Sequence, residues 1–524
     1  MRTPTIARSA RAPKTLLAGV RLGARSGQGL LFEDSRIAWT GPMKDAPPAD
    51  RALDLSGCLL LPAFVDAHVH ATATGLSLAG LDLHGTASLP AALDRIAGHA
   101  DAHPGQLIFG TGWDETTWPE RRAPSLAEVD GATRGAPAYL ARVDVHSAVV
   151  STALLDRCPQ ARDRPGYDSN GHLRLEAHHV IRRTAQAAIT SEQRLRAQRE
   201  TRSHAAELGI AAIHEMAGPD ISGRHDLESL LTLARTEAGP QVFGYWAELG
   251  ETDVVTELGL AGAAGDLFCD GAFGSHTAAL HEPYLDAPTT TGALYFTDEQ
   301  VADHLRRATG SGIQAGFHCI GDAAIDQVAR GFEAVATEFG DDAVRACRHR
   351  LEHLEMPGRA ALSTFARLGA VASVQPGFDA AWGGLGRMYE TRLGAQRATG
   401  LNPFADFAAA GIAMAFGSDA PVTPIDPWGA IAAAVAHRTP TSRVPAQRAM
   451  AAATAGGWWA ARDPRPGVGT VEVGTPAHLA AWKVEGSVDA TVDDIVSGIL
   501  AGAPAPRCEL TVAAGQIIFG ADGL

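Results

Sequence analysis

The stretch that decides the fold is "LPAFVDAHVHATATG", residues 61–75, in which an apolar run ends in two histidines, His68 and His70. Alternate side chains of a β-strand share a face, so both imidazoles would project the same way from a strand at this position. The chain contains 20 histidines, and a composition of this kind gives about one His-x-His pair by chance. The pair alone therefore does not establish a metal site. Whether it is one depends on the residues at the ends of the other strands.

The middle of the chain alternates strand-like and helix-like segments. The strand-like segments are apolar and short: "AYLARVDV", "GIAAIHEM", "QVFGYW", "GDLFCDG", "IQAGFHC", "RHRLEH", "AVASVQP" and "GIAMAFGSD". Helix-like segments such as "TDEQVADHLRRATGSG" separate them and end at or near glycine. Repeated strand–helix units favour a parallel sheet, and about eight of them indicate an α/β fold of the (β/α)₈ TIM-barrel type.

Both ends of the chain are rich in short strand-like runs, including "TLLAGVRL" and "PAPRCELTVAAGQIIFG". We expect a small β-domain formed by the two termini, with two unrelated terminal ribbons as the alternative. The predicted domains are residues 1–60 and 461–524 for the two parts of this β-domain and 61–460 for the barrel. An insertion at about residues 71–200 interrupts the barrel.

Three further strand ends carry polar side chains. His318 ends "GFHC", His353 ends "RHRLEH", and Asp419 follows the strand in "AFGSDAPVTPIDPW". The carboxyl ends of barrel strands meet at one mouth, so these side chains would converge with His68 and His70. Neutral imidazole and carboxylate are the usual ligands of a hydrolytic divalent metal. The set predicts a metal centre.

Composition excludes several classes of function. The formal charge of −15 argues against a nucleic-acid partner, and no apolar run has membrane length. The start, "MRTPTIARSARAPK", lacks the apolar core of a signal peptide, and we interpret it as a frayed tail. Six scattered cysteines indicate buried thiols in a reducing cytosol, so we expect a cytoplasmic protein. We expect a small-molecule substrate, no nucleic acid and no membrane partner, and leave a homodimer open.

Lysine is nearly absent. The chain has only Lys14, Lys44 and Lys483, and the remaining basic residues are arginines. A Schiff-base mechanism and a phosphate-binding lysine are therefore excluded from the predicted barrel. A carbamylated lysine that bridges two metals is excluded as well.

The chain resembles the metal-dependent amidohydrolase superfamily, and within it the amidohydrolase-3 (YtcJ-like) family. The resemblance rests on an ordered set of motifs: "LDLSGCLLLPAFVDAHVH", "GTGWDETTWP", "RVDVHSAVVSTALL", "DGAFGSHTAAL", "GFHCIGDAAIDQV", "RHRLEHLE", "FGSDAPVTPIDPW" and "VGTPAHLAAW". It implies a distorted (β/α)₈ barrel with a β-sandwich assembled from both termini. It also implies that His68, His70, His318, His353 and Asp419 bind metal or serve the chemistry at the metal.

One position departs from the family pattern. Many relatives carry a lysine just before "DG", and here "GDLFCDG" has Asp266 at that place. Either Asp266 ligates or bridges metals, or one metal is held by His68, His70, His318 and Asp419. In the second case His353 would donate a hydrogen bond to the substrate. A solvated or arginine-paired carboxylate is the alternative for Asp266, and Asp270 is a weaker ligand candidate.

The resemblance implies hydrolysis of a C–N bond, and we expect the substrate to be an N-acyl or N-formyl amine. One or two divalent ions would activate a water, with zinc expected and iron or manganese as alternatives. Asp419 would act as general base and then acid, and His353, if not a ligand, would stabilise the oxyanion. The alternatives are hydrolysis of a cyclic amide, an ester or lactone, or a heterocycle by deamination, and a catalytically silent barrel that only binds.

The insertion is expected to shape the substrate pocket. In the family its motifs lie near the substrate cavity, which makes five side chains candidate substrate contacts: Trp113, Asp114, Arg142, His146 and, beyond the insertion, His276. Ordinary packing is an equally good interpretation of the tryptophans. His276 often corresponds to arginine in relatives, which weakens its assignment.

Overall fold

The computed structural model describes residues 13–485 and 490–520, and the basic tail predicted to fray lies largely outside them. The strands of the described residues are, in chain order, β1 (Thr15–Leu22), β2 (Arg25–Glu33), β3 (Arg36–Pro42), β4 (Arg51–Asp54), β5 (Leu59–Pro62), β6 (Phe64–Val69), β7 (Leu81–Asp82), β8 (Ile108–Trp113), β9 (Ala138–Arg142), β10 (Ser147–Val150), β11 (His172–Arg174), β12 (Ile210–Ala217), β13 (Gln241–Trp246), β14 (Gly262–Ala263), β15 (Gln314–Cys319), β16 (Arg350–His353), β17 (Val371–Val374), β18 (Ala413–Phe416), β19 (Leu479–Lys483), β20 (Arg507–Ala513) and β21 (Gln516–Phe519).

The helices of the same residues are α1 (Ala71–Ala79), α2 (Leu89–Ala102), α3 (Leu126–Ala132), α4 (Thr152–Leu155), α5 (Leu175–Ala187), α6 (Ser191–Glu207), α7 (Arg224–Thr236), α8 (Asp253–Leu258), α9 (Asp298–Gly310), α10 (Asp322–Phe339), α11 (Asp341–Cys347), α12 (Arg359–Arg367), α13 (Pro376–Trp382), α14 (Met388–Leu393), α15 (Ala395–Ala398), α16 (Phe404–Ala410), α17 (Pro427–Val435), α18 (Ala446–Ala453), α19 (Ala455–Ala460) and α20 (Val492–Leu500). Among the described residues, none of these helices combines the length and the apolar character needed to cross a membrane.

Eight parallel strands form the barrel, in the order β6, β12, β13, β14, β15, β16, β17 and β18. The barrel closes between its first and last strands. His70 N donates to Ala420 O at 3.0 Å, and Asp419 N donates to His68 O at 2.8 Å. The predicted (β/α)₈ barrel is confirmed, and its closure joins two of the segments that carry candidate ligands.

Two strand assignments differ from the prediction. "AYLARVDV" does not belong to the barrel, because β9 pairs with β8 and β10 in a separate sheet. The first barrel strand is instead "FVDAHV", β6, whose six residues are all buried. The fourth strand is only two residues long, and "GDLFCDG" follows it as an irregular segment with a single bridge between Phe268 and His318. Because β6 replaces "AYLARVDV", the total of eight barrel strands is unchanged.

The insertion forms its own five-stranded sheet, here called the insertion sheet, in the order β11, β10, β9, β8, β7. Its core is made by buried apolar side chains of β8 and β9 and of the helices α2 and α3, among them Ile96, Ile108, Val129 and Leu140. Helix α6 then returns the chain to the second barrel strand. The insertion therefore leaves the barrel after its first strand and returns before its second.

The terminal strands form one eight-stranded sheet, in which β5 pairs with both β1 and β19. The edge strand β3 also contacts the segment that precedes β19: Ile37 N donates to Thr475 O at 2.9 Å, and Gly474 N donates to Ile37 O at 2.8 Å. The sheet encloses a single apolar core that includes Leu17 from one terminus and Leu510 from the other. The termini therefore build one domain, and the alternative of two unrelated ribbons is wrong.

Candidate metal centre

Six polar side chains meet at the carboxyl ends of the barrel strands, and all six are buried. His68 lies in β6 and His70 directly after it, His318 and His353 lie at the ends of β15 and β16, and two carboxylates follow β14 and β18. This set, called the His–Asp cluster below, consists of His68, His70, Asp266, His318, His353 and Asp419. The structure thus brings together all the metal-ligand candidates that the strand ends suggested.

The first half of the cluster is formed by His68, His70, Asp266 and Asp419. His70 Nε2 lies 3.1 Å from an oxygen of each carboxylate, Asp266 Oδ2 and Asp419 Oδ1. His68 Nε2 lies 3.4 Å from Asp266 Oδ1 and 3.4 Å from Asp419 Oδ1. Two imidazoles and two carboxylates at this spacing can surround a single divalent cation.

The second half is formed by Asp266, His318 and His353. Asp266 Oδ1 lies 3.5 Å from His318 Nδ1 and 3.5 Å from His353 Nε2. Asp266 belongs to both halves: its Oδ2 faces His70, and its Oδ1 faces His68 as well as His318 and His353. The arrangement therefore offers two groups of ligand atoms that share one carboxylate.

The outer ring nitrogen of each histidine has a hydrogen-bond acceptor. His68 Nδ1 lies 2.9 Å from Glu352 Oε2, and His70 Nδ1 lies 3.1 Å from the carbonyl oxygen of Met216. A histidine that donates from one ring nitrogen presents the lone pair of the other. Both rings are therefore held with Nε2 as an acceptor that faces the cluster.

The other two histidines follow the same rule. His318 Nε2 lies 3.2 Å from Gly271 O, which leaves Nδ1 facing Asp266. His353 Nδ1 lies 2.9 Å from Gln375 Oε1, which leaves Nε2 facing Asp266. This tautomer gives His353 a ligating lone pair instead of an N–H directed at a substrate, and so favours its role as a ligand.

Several inward-facing atoms of the cluster are buried and have no hydrogen-bond partner within the described residues: His68 Nε2, His318 Nδ1, Asp266 Oδ1 and Asp419 Oδ1. A buried polar atom without a partner costs about 1–3 kcal/mol. Cations held in the two halves would supply partners for these atoms, because nitrogen lone pairs and carboxylate oxygens are preferred donors to a divalent cation. The residues present fit a divalent metal.

The charges of the cluster depend on each other. Burial disfavours the charged form of His70, yet the adjoining Asp266 and Asp419 carboxylates raise its pKa to about 10. Burial likewise opposes ionisation of Asp266, but the neighbouring histidines hold the pKa of that carboxyl well below its usual range. A proton and a metal ion compete for the same nitrogen lone pairs. The carboxylates thus create a place for positive charge that a cation can fill.

Sequence reasoning missed the groups that support His68. Glu352 is buried and is held by Arg350, whose Nε lies 2.5 Å from Glu352 Oε1. Arg350 also donates to Ala67 O at 2.7 Å and to Ser373 Oγ at 2.9 Å. The available signal was "RLE" in a buried strand, where two opposite charges two residues apart share one face.

Two cluster positions have unusual backbone geometry. His353 has φ of 70° and Asp419 has φ of 55°, both in the left-handed region that residues with a side chain rarely adopt. Such a conformation costs about 1–3 kcal/mol for a residue other than glycine. The strain bends the chain at the point where each strand ends and turns these two side chains toward the cluster.

Asp270 is not available as a ligand, which corrects its candidacy. Its carboxylate accepts three backbone hydrogen bonds, from Ala279 N at 2.8 Å, Ile320 N at 3.0 Å and Gly321 N at 2.8 Å. Its nearest approach to a cluster histidine is 3.8 Å, to His318 Nε2. Asp270 fixes the loop beside the cluster and does not face the cation positions.

The cluster opens into a cavity, called the main cavity below. The cluster residue His70 lines its floor, Phe109 and Tyr139 of the insertion sheet line one wall, and Arg182 of α5 lines another. His146 also lines it, and its ring centroid lies 5.0 Å from that of His318. Of the five predicted substrate contacts, His146 is the one that the structure places in this wall.

Three predicted substrate contacts have structural roles instead. Trp113 is fully buried and donates from Nε1 to Leu140 O at 2.8 Å, inside the core of the insertion. Arg142 pairs with Asp114 at 3.2 Å, Glu115 at 2.8 Å and Asp144 at 2.8 Å. None of Trp113, Asp114 and Arg142 lines the main cavity. The structure thus places these three side chains inside the insertion. Polar and aromatic letters alone do not show which face of a sheet a side chain occupies.

His276 is also placed away from the main cavity. Its Nε2 lies 3.0 Å from Asp286 Oδ1, and its ring packs edge-on against Tyr284 at a centroid distance of 4.9 Å. These contacts give His276 a structural role in its turn, and a role as a substrate contact stays a prediction. The cavity residues Phe109, Tyr139 and Arg182 had no motif that could have revealed them.

The chain is similar to known proteins both in sequence and in fold. A family model described as the amidohydrolase family matches residues 51–519. The chain is 26% identical over 452 residues to the putative amidohydrolase YtcJ of Bacillus subtilis, covering 79% of this chain and 80% of that protein. It is 25% identical over 445 residues to the N-substituted formamide deformylase of Arthrobacter pascens, covering 79% and 80% respectively. A crystal structure of a metal-dependent hydrolase from Pyrococcus furiosus superposes with a TM-score of 0.68 at 26% identity, over 92% of this chain and 100% of that one.

Proposed function

This chain belongs to the amidohydrolase family, and on that premise we propose that it cleaves the amide C–N bond of an N-acyl or N-formyl amine. The observation that carries the proposal is the orientation of the four cluster imidazoles. Each ring is tied outward through one nitrogen, and the other nitrogen faces Asp266 or Asp419. Barrel packing does not require such a set of buried lone pairs, whereas a hydrolytic metal centre does.

The proposed cofactor is a divalent cation, and zinc suits four imidazoles and two carboxylates best. His68, His70, Asp266 and Asp419 would hold one ion, and Asp266, His318 and His353 a second. When bound, such a cation acts as a Lewis acid that polarises the scissile carbonyl and makes a neighbouring water more acidic. Iron and manganese are the alternatives that metal analysis has to separate.

Asp419 is the proposed proton carrier. Its Oδ1 faces His68 and His70, and its Oδ2 is directed away from them, 4.0 Å from His353 Nδ1. As the water oxygen bonds to the carbonyl carbon, Asp419 accepts the water proton. It then transfers that proton to the nitrogen as the C–N bond breaks, acting first as general base and then as general acid. The products are a carboxylic acid, or formic acid, and a free amine.

The choice of an N-acyl or N-formyl amine is supported by the relative from Arthrobacter pascens, which is an N-substituted formamide deformylase. The main cavity is consistent with a substrate larger than the amide itself. Its walls are largely apolar, with Leu76, Phe109 and Ile189 among the residues that face it. Such a wall would take up an apolar group on the amine or the acyl side.

The test is hydrolysis by the zinc-loaded protein of matched panels of N-formyl amines, N-acyl amines, cyclic amides, esters, lactones and aminated heterocycles. We expect turnover of the open-chain amides and its loss on chelation, with recovery when zinc is restored. Turnover confined to cyclic amides, esters, lactones or heterocycles would keep the metal centre and refute the proposed bond. Absence of stoichiometric metal in the purified protein would instead favour a binding protein with this fold.

We also propose a cytoplasmic location. All six cysteines are buried, and none forms a disulfide. Unpaired thiols are typical of proteins that work in a reducing compartment. Fractionation of the producing cells, followed by detection of the protein, tests this location directly.

A further inference from the structure

Arg182 of α5 lines the main cavity, where its guanidinium lies over the ring of Phe268 and has no acidic partner among the described residues. Its Nε and Nη2 atoms are buried and make no hydrogen bond, and among the described residues no carboxylate lies within 4.0 Å of it. The other arginine in this wall, Arg194, is paired with Asp226 at 2.9 Å, and the next residue, Arg183, is paired with Asp220. Arg182 is thus an uncompensated cation in the same cavity as the His–Asp cluster.

The surroundings of Arg182 do not neutralise it. Burial, together with the adjacent Arg182 charge, lowers the pKa of His178 well below its usual range and that of His179 to about 3. Both rings are therefore neutral, as expected beside a fixed positive charge. A partly buried guanidinium whose Nε and Nη2 have lost water without gaining an acceptor favours an incoming anion.

The path from Arg182 to the cluster is short and apolar. The guanidinium carbon lies 5.9 Å from the ring centroid of Phe268, and that centroid lies 5.0 Å from the ring centroid of His318. One aromatic ring therefore separates the cation from the cluster. A ligand that reaches both needs an anionic end, an apolar body and a reacting amide at the other end.

We propose that Arg182 binds a carboxylate of the substrate, so that the substrate class is an N-acyl or N-formyl derivative of an apolar amino acid. This inference rests on the proposed function, because it names the substrate of the same site. Guanidinium pairs with carboxylate through two parallel N–H···O bonds, which fixes orientation as well as charge. Arg182 would thereby place the amide over the cluster.

The kinetic test compares N-formylphenylalanine with N-formylphenethylamine, which lacks only the carboxylate. Both enantiomers of N-formylphenylalanine are tested. We expect the zinc-loaded wild type to prefer one enantiomer of the carboxylate over the neutral amide by at least about tenfold in kcat/KM. Arg182→Met should abolish that preference, and Arg182→Lys should retain part of it because the charge remains. Arg183→Met is the matched control and should retain the preference, since Arg183 is paired with Asp220 on the surface.

A binding test gives a readout that does not depend on turnover. The affinity of the zinc-loaded protein for 3-phenylpropanoate and for 3-phenylpropanamide is measured by calorimetry. Arg182→Met should weaken the binding of 3-phenylpropanoate by about tenfold and leave the binding of 3-phenylpropanamide unchanged. Equal weakening of both probes, or no weakening, would overturn the inference. Arg182-dependent carboxylate binding without hydrolysis of any amide would refute the proposed function and keep the anion site. Hydrolysis of both amides at equal rates, unaffected by Arg182→Met, would refute the anion site and keep the proposed function.

Discussion

Glu352 Oε2 lies 2.9 Å from His68 Nδ1, and both side chains are fully buried. The carboxylate fixes the tautomer of His68 and makes its Nε2 a better donor to a cation. We therefore expect Glu352→Gln to weaken zinc binding about 10- to 100-fold, the range found when such supporting carboxylates are lost. Competition with a chromophoric chelator measures this affinity.

The control for that variant is Glu333→Gln, which changes a glutamate on the exposed face of α10 that pairs with Arg367. Its zinc affinity should equal that of the wild type. Glu352→Gln with unchanged zinc affinity would show that His68 is oriented by packing alone.

Arg350 connects the same pair to the barrel interior. It contacts Glu352 and the ring of Tyr245, with its guanidinium carbon 4.4 Å from the ring centroid. Arg350→Met leaves the Glu352 carboxylate buried without its partner, which should cost about 3–5 kcal/mol in the free energy of unfolding. Urea denaturation monitored by tryptophan fluorescence measures the loss.

A second variant separates stability from metal binding. The double change Arg350→Met and Glu352→Leu removes both charges, and should recover much of the lost stability because no unpaired ion remains. Zinc affinity should be low in the double variant, as in Glu352→Gln, since the change to leucine removes the acceptor of His68. Recovery of both properties would contradict the role assigned to Glu352.

Asp266 belongs to both halves of the cluster: its Oδ2 faces His70, and its Oδ1 faces His68, His318 and His353. Asp266→Asn removes the shared charge, and we expect it to lower the zinc content per chain by at least one ion relative to the wild type. Elemental analysis of the two proteins, purified side by side, gives the ratio.

Asp270→Asn is the matched control for Asp266→Asn. Asp270 accepts hydrogen bonds from three backbone N–H groups, so its change should lower the free energy of unfolding by about 1–3 kcal/mol. Its zinc content should equal that of the wild type. A loss of zinc in Asp270→Asn as large as that in Asp266→Asn would show that the shared carboxylate has no special role.

The barrel and the cluster could be predicted because their signals are local. A buried strand that ends in His-x-His, and single polar residues at later strand ends, fix the face and the edge on which the side chains lie. The supporting groups were harder to find, since Glu352 reaches His68 only once the barrel has closed around β6. The cavity wall could not be predicted, because Arg182 and Trp113 gain their roles from the way the insertion sheet packs.

Glu115 belongs to the ion network around Arg142. The pKa of Glu115 allows the contribution of this network to stability to be tested. Burial opposes its ionisation, but the Arg142 and Arg392 charges outweigh burial and lower the pKa of Glu115 from 4.5 to about 2. A carboxyl whose pKa is lowered in the folded state stabilises the protein above the unfolded value, and this contribution is lost as the pH falls toward 2. The shift corresponds to about 3 kcal/mol. Urea midpoints of metal-free wild type and Glu115→Gln should therefore differ most above pH 5 and converge as the pH approaches 2. A difference that stays constant over this range would mean that Glu115 contributes through packing and not through its charge.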